Sequence, residues 1–355
     1  ARKTFPSAPE IPIAAVRASR SRLKTMLSLF LPAFLFFTLE AQAAEETFVY
    51  PGAGVPEDHL VWGLKDGIRL GLHPTRGPAG LIRVYAPYLG QPYPRVVNYL
   101  SIEPMVVGET HREQSELETS RTRPGREGLS FWATNSLDES QSPSTPVHGR
   151  IDPASGNLHV FIHTEPFPNG ARPVVECVFD PDRPHEIELI THTAPGGKEM
   201  LQCILSATMG NYGQLRRLHL ADNQTLHART LWNEGESLDE LGFLPWKTFP
   251  PESMERLPDG HYHVELSTDA VDPGKVEHDP GVKSSWRYVG RKAIHYWRAE
   301  PDSAPFVAVN ARRTYWRSES KIPGGASFEN FELNLPFQPG RRLWFGVSPG
   351  AGKRD

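Results

Sequence analysis

Proline and glycine are spread along the whole chain, 34 and 30 of them in 355 residues, with no single cluster. A proline inside a helix removes a hydrogen bond and clashes with the preceding turn, and a glycine there costs backbone entropy. Long helices have little room in such a sequence, and short segments between turns have plenty. The segments read as strands. In Gly80–Ala86, Arg95–Glu103, Asn157–Thr164, Glu186–Thr193 and His261–Thr268 apolar and polar residues largely alternate, the period of a sheet with one buried face. No internal repeat of the kind that builds a propeller is present, so the expectation is an all-β chain: a large two-sheet antiparallel β-sandwich with long loops and little helix.

The first 43 residues read differently. Arg20, Arg22 and Lys24 form a basic stretch, the run Met26–Leu39 is almost wholly apolar, and Ala41-Gln42-Ala43 offers small residues where a signal peptidase cuts. A bilayer span takes about 20 apolar residues. This run is shorter and holds Pro32, so a cleaved leader is expected over an integral membrane anchor, with a periplasmic or extracellular destination. The segment before about Val16 reads as upstream of the translation start. Residues 44–355 are then one sandwich domain.

Six of the 38 Lys and Arg and two of the 42 Asp and Glu fall in the leader, leaving a net charge of −8 after it. A mildly acidic chain lacks the basic face that binds nucleic acid. Cys177 and Cys203 lie in strand-like stretches. They read either as a pair bonded across strands in an oxidising compartment or as two buried thiols. No cofactor motif is present.

The polar stretch Gly108–Gly149 has one apolar island, Leu129–Trp132, and reads as a long excursion bordering a cleft or as disorder. The acidic stretch Thr268–Lys283 could offer oxygen ligands to calcium but has no EF-hand pattern, and a solvated loop explains it as well. Within one long strand-like run, Asn98 and Glu103 are five apart and so face opposite ways. At least one of them needs burial or a partner to explain it.

Three constellations carry chemistry. Trp286, Arg287, Tyr288, His295, Tyr296, Trp297 and Arg298, followed by Arg313, Trp316 and Arg317, interleave aromatic platforms with guanidinium forks, a mixture suited to a sugar ring with an acidic group. Core aromatics with stacked arginines are the alternative. His159, His163 and Glu165 share one strand face, and His261, His263 and Glu265 share another. A His-x-His pair beside a carboxylate is a metal-site pattern, and a single His beside one is an acid or base. Solvent-facing strand positions explain both pairs without chemistry, and no metal ligand is assigned.

The third is the segment Lys321–Gly340, where Glu329 follows a glycine turn with Phe328, Asn330 and Glu332 alternating beside it. It resembles the end of galactose-mutarotase-like β-supersandwich domains, in which a carboxylate-bearing strand leads through an apolar Pro-Gly segment into the last strand. The resemblance covers about the last thirty residues. It implies that Glu329 is a base on an anomeric hydroxyl, with a histidine acid, His163 or His263 by face and strand position.

The functional expectation is a secreted protein that recognises a polysaccharide or oligosaccharide, with activity as a polysaccharide lyase or epimerase on acidic saccharides. In a lyase, Arg287 and Arg298 would neutralise the uronate while Tyr288, Tyr296 or His295 removes a proton. A non-catalytic carbohydrate-binding or cell-envelope module is the alternative, and a metal-dependent enzyme built on a His-x-His pair the third.

Overall fold

The computed structural model describes residues 47–350 apart from 53–59, 73–76, 92–94, 140, 211 and 213, so the leader expected up to Ala43 lies outside the described residues. Residues from Thr47 onward form one compact unit. Its strands, β1 to β20 in chain order, build two antiparallel sheets.

The nine-stranded sheet runs β1 (Phe48–Val49), β2 (Val61–Leu64), β3 (Arg69–Gly71), β4 (Ile82–Tyr85), β5 (Val96–Val106), β11 (Met200–Met209), β19 (Ser327–Asn334), β18 (Phe306–Arg312), β14 (Leu244–Phe249). The eleven-stranded sheet runs β13 (Thr225–His227), β12 (Leu215–His219), β16 (Tyr262–Thr268), β17 (Ala293–Ala299), β20 (Arg341–Pro349), β10 (Glu186–Thr193), β9 (Pro173–Phe179), β8 (Leu158–Thr164), β6 (Phe131–Thr134), with β7 (Arg150–Ile151) on β8 and β15 (Glu255–Arg256) on β16. The five segments with sheet periodicity become β4, β5, β8, β10 and β16. Helix contributes little: α1, Ala228–Leu231, and several single 3-10 turns. Among the described residues no helix is long and apolar enough to cross a membrane.

The two sheets share one core. Val264, Leu266, Trp297, Phe345, Leu189 and Cys177 face inward from the larger sheet, and Leu100, Ile102, Leu205, Phe331 and Leu333 from the smaller. Cys203 is in the same core on the smaller sheet, and both thiols are free and buried. Trp297 of β17 crosses the layers. Its indole N–H donates to the Phe331 carbonyl of β19 at 2.8 Å, and its ring packs on Phe345 with centroids 4.9 Å apart. A second polar contact spans the sandwich: Asn98 Nδ2 of β5 lies 3.2 Å from Nδ1 of His295 on β17. Burial pulls His295 down to about 3, so the ring is neutral and its Nδ1 accepts the amide proton.

Alternation holds for chemistry but not for burial. In β9 all seven residues are buried, and the outward residues of the central strands, such as His263, Arg298, Glu186 and Glu103, are nearly as covered as the inward ones. Polar side chains there cover one another by pairing. Arg298 Nη2 donates to Glu186 Oε1 at 2.6 Å while its guanidinium lies 4.1 Å from the centre of the Trp344 ring. Gly346 makes room for this layer, since a Cβ there would stand 2.0 Å from the Tyr296 ring.

The excursion after β5 is ordered and anchored. Glu113 and Ser115 donate backbone N–H groups to the Pro104 and Ile102 carbonyls along β5, and Ser115 Oγ donates to the Gly80 carbonyl at 2.6 Å. Gly80 has φ +71°, and a Cβ on it would meet the Ser115 carbonyl oxygen at 2.1 Å, so that approach requires glycine. Glu165 holds the far side by accepting the Thr122 and Ser130 N–H groups at 2.6 and 2.9 Å. The second half of the apolar island, Phe131 and Trp132, opens β6 at the edge of the larger sheet.

Replacing Trp297 by Ala removes a fully buried indole and leaves a cavity between the layers. Urea denaturation is expected to show a loss of about 3–5 kcal/mol, against a smaller loss for Trp297→Phe, which gives up mainly the inter-sheet hydrogen bond at about 1–2 kcal/mol. Equal losses in the two variants would mean that packing across the layers contributes nothing beyond that bond.

Candidate functional site

The structure divides the sequence-derived candidates among separate places. Trp297 and His295 are sealed between the sheets, and Tyr288 is buried with its hydroxyl donating to the Arg291 carbonyl at 2.6 Å. Burial raises the Tyr288 phenol far above its ordinary range, so it is a poor proton acceptor. His263, Tyr296 and Arg298 lie on the outer face of the larger sheet, where Tyr296 donates to Glu186 Oε2 at 3.2 Å and the His263 ring lies 5.4 Å from the Tyr296 ring. His163 is further along that sheet, 3.0 Å from Thr134 Oγ1 and stacked on Trp132. Glu329 belongs to the smaller sheet. Neither His163 nor His263 can therefore serve as its acid, because the thickness of the sandwich separates the two sheets' outer faces.

The remaining members lie in loops. Arg313 donates to the Asn233 and Glu236 carbonyls and ties two loops together. Trp286 stacks on Tyr315 at 5.0 Å, and Arg287 Nε donates to the Val282 carbonyl. Trp316 lies against Arg312, the partner of Glu329, whereas exposed Arg317 donates to both oxygens of Glu127 at 2.6 and 2.7 Å.

A bulge brings Glu329 to its position. Val309 of β18 faces Phe331 and Ala311 faces Phe328, so Glu329 and Asn330 together oppose the single residue Asn310. Phe328 and Phe331, three apart, both remain in the core. Strict alternation had placed Phe328 with Asn330 and Glu332; the bulge turns it inward instead. Asn310 Oδ1 accepts the Asn330 N–H at 3.1 Å and fixes the distortion. Arg312 Nη1 then stands 3.8 Å from Glu329 Oε1, and its guanidinium lies 4.6 Å from the Trp316 ring centre and 4.9 Å from that of Phe243. Glu329 is 5% exposed and Arg312 3%, yet Glu329 Oε2 and Arg312 Nε and Nη1 have no hydrogen-bond partner.

Beside this pair on the same sheet, Arg112 from the excursion reaches over β11. Its Nε lies 2.9 Å from Glu103 Oε2 on β5, and its Nη1 and Nη2 donate to the two Glu332 oxygens on β19 at 2.8 and 3.1 Å. Ser101 donates to Glu103 at 2.7 Å and Asn334 to Glu332 at 3.1 Å. Trp246 of the edge strand β14 covers Arg112 at 5.1 Å and is itself 38% exposed. Glu103 thus finds its partner on the outer face while Asn98 finds His295 on the inner one. Both residues of that strand are explained.

Burial dominates the electrostatics. It pushes Glu103 well above the ordinary carboxyl range, with Glu332 adding to the rise and Arg112 opposing it. Burial lifts Glu116, in the excursion, to about 7 and Glu329 also to about 7, the latter helped by Glu116 against Arg312. Burial lowers Arg112, but Glu103 and Glu332 outweigh it and the net shift is upward. Two carboxyls poised near neutrality are suited to exchange protons with a ligand.

The His-x-His pairs do not converge on a metal. His159 Nδ1 and His192 Nε2 flank Glu176 at 2.7 and 2.9 Å. His263 lies 3.6 Å from Glu265 and 3.9 Å from Glu255. In the acidic loop, Asp269 takes Arg216 and His227, and Asp272 takes Lys275. Among the described residues, half-buried Glu109 and Glu113 and exposed His111 are the group whose ligand atoms lie within 4.8 Å of one another.

Sequence reading missed Glu116, Arg112 and Trp246 altogether. Arg112 and Glu116 sit in a polar stretch without periodicity, and Trp246 follows Phe243 and Leu244 in an apolar run that does not mark a surface ring apart from a core one. Fold and site together define an all-β sandwich with a buried carboxyl and guanidinium cluster on the outer face of its smaller sheet. No family model matches the sequence, and a comparison with curated proteins returns no match.

Folded Glu329 holds its proton up to about 7, against an ordinary value of 4.5. The folded chain therefore binds a proton that the unfolded chain releases between those values, and stability falls as pH rises through that window. Glu329→Gln removes this contribution. Between pH 5 and pH 8 it is expected to lose less stability than the wild type, by roughly 2 kcal/mol, as read by urea denaturation at both values. An identical loss in both proteins would show that Glu329 ionises at no cost to the fold.

Proposed function

We propose that this is an exported carbohydrate-active protein whose reaction centre is the Glu329 and Glu116 pair, acting as an epimerase or mutarotase on a reducing sugar. The observation that carries the reading is the buried Glu329 carboxyl, held near neutrality beside Arg312 with one oxygen lacking any donor. An ionised Glu329 takes the proton of the anomeric hydroxyl while a protonated Glu116 gives its own to the ring oxygen. The bond from C1 to the ring oxygen breaks and the aldehyde forms. Rotation about the C1–C2 bond and reversal of both transfers then close the other anomer. Arg312 favours the ionised form of Glu329, and Trp246 and Trp316 offer flat faces of the kind on which sugar rings stack. The resemblance of Lys321–Gly340 to galactose-mutarotase-like domains supports the same role for Glu329, with a carboxyl in place of the histidine acid.

A uronate lyase is less well supported. Arg298 is engaged by Glu186 and Trp344, and His295 is sealed in the core. A binding module without catalysis has one observation in its favour, the exposed Trp246 over Arg112. Exchange NMR on the anomeric protons of reducing sugars separates the two. Wild-type protein is expected to speed anomer exchange, and Glu329→Gln to lower the rate by about 10²-fold or more, with binding retained. Binding without acceleration by the wild type would leave the non-catalytic module standing.

A further inference from the structure

We infer that the turn at residues 316–319 is a gate over Glu329 and Arg312, held shut across the outer face of the smaller sheet by the ion pair of Arg317 with Glu127. The inference rests on the reading that Glu329 receives a ligand, and it specifies how that ligand enters. Glu329 and Arg312 are 5% and 3% exposed. The atoms that would meet a ligand, Glu329 Oε2 and Arg312 Nε and Nη1, are covered and have no partner. A ligand reaches them after something above them has moved.

The turn between β18 and β19 is seated at its base and latched at its tip. At the base, Tyr315 is buried against Val282 and Ile322, Thr314 bridges Lys321, and Arg313 donates to the Asn233 and Glu236 carbonyls. At the tip, Arg317 adopts φ +48°, a left-handed conformation that a residue with a Cβ keeps when its surroundings impose it. Its two terminal nitrogens donate to the two oxygens of Glu127 at 2.6 and 2.7 Å. Glu127 belongs to the excursion that follows β5, where it bridges Thr119, and that excursion is tied down through Glu165. Strands β5 and β19 lie on either side of β11, so the pair closes over the strand between them.

Trp316 connects the latch to the site. Its ring centre lies 5.2 Å from the Arg317 guanidinium and 4.6 Å from that of Arg312. When Arg317 releases Glu127, the turn loses the contact that holds its tip, and Trp316 can leave Arg312 with it. The side chains of the pair are 56% and 49% exposed. An ion pair so open to water is weak and is screened by salt, whereas its two-pronged geometry returns the turn to one closed position. Weak closure with a defined resting place is what a gate requires.

Labelling of Glu329 by a water-soluble carbodiimide and glycine methyl ester at pH 6, where that carboxyl holds its proton, reads the gate without any sugar. Peptide mass spectrometry follows Glu329 against exposed Glu277 as the reference. In the wild type Glu329 is expected to react well below the Glu277 rate. Glu127→Gln and Arg317→Gln are each expected to raise the Glu329 rate about 2–5-fold, and the double variant no further, with circular dichroism unchanged. Sodium chloride at about 0.5 M is expected to speed the wild type and leave the variants as they are. Glu127→Arg combined with Arg317→Glu, which reverses the pair, is expected to bring the rate back toward wild type. Wild-type labelling of Glu329 in both single variants, or a Glu329 rate equal to that of Glu277 in the wild type, overturns the gate. Anomer exchange on the same proteins keeps the two readings apart: a labelling rate that follows the ion pair supports the gate even where no sugar is turned over.

Discussion

One indole holds the two layers in register. Trp297 leaves β17 of the larger sheet, fills the space against Phe345, and donates its N–H to the backbone of β19 at Phe331. That carbonyl is two residues from Glu329, so the bond that joins the layers also fixes the strand that carries this carboxyl. The bulge opposite Asn310 lies between them. A shift of β19 by one residue would send Glu329 inward and break the Trp297 bond at once, because successive residues face opposite sides. Layer packing and site geometry therefore depend on one register.

The sandwich itself was legible in the sequence. Period-two runs bounded by Pro and Gly gave β4, β5, β8, β10 and β16, and the opposite orientations of Asn98 and Glu103 followed from their spacing alone. Side-chain placement along β19 was not legible, because a bulge adds one residue without leaving a mark in the pattern. Phe328 counted as a neighbour of Asn330 and Glu332 by strict alternation and is instead a core residue. The dense run Trp286–Arg298 misled for a related reason: alternation along β17 sends His295 and Trp297 inward while Tyr296 and Arg298 go outward. Composition shows that aromatic and guanidinium groups are near in sequence, and a strand then places them on opposite sides of a sheet.

The outer faces of both sheets solve the same problem in two ways. A broad sandwich has central strands whose outer residues are far from any edge, and bare apolar residues there would form a large exposed patch. On the larger sheet each carboxylate has its full set of partners, Glu186 between Arg298 and Arg183 and Glu176 between two imidazoles. That matching brings Glu176 down to about 2, with the two histidines outweighing burial. On the smaller sheet the match is incomplete. Burial wins there, and Glu116 and Glu329 move up to about 7.

This contrast is why the smaller sheet offers the candidate site. A paired carboxylate in a satisfied network is stable and chemically idle, whereas a buried one without its full complement of donors carries a cost that a ligand can relieve. The excursion from Gly108 supplies both Arg112, which pairs with Glu103 and Glu332, and Glu116, which feels Arg112 more weakly and whose Oε2 is buried without a donor. Its anchoring at Gly80 and Glu165 keeps that second carboxyl beside the sheet instead of in solvent, where it would ionise freely. The long polar stretch thus gives an ordinary sheet surface two carboxyls held near neutrality. It does so through a few hydrogen bonds to β5 and its neighbours, without a helix or a cofactor motif to announce it in the sequence.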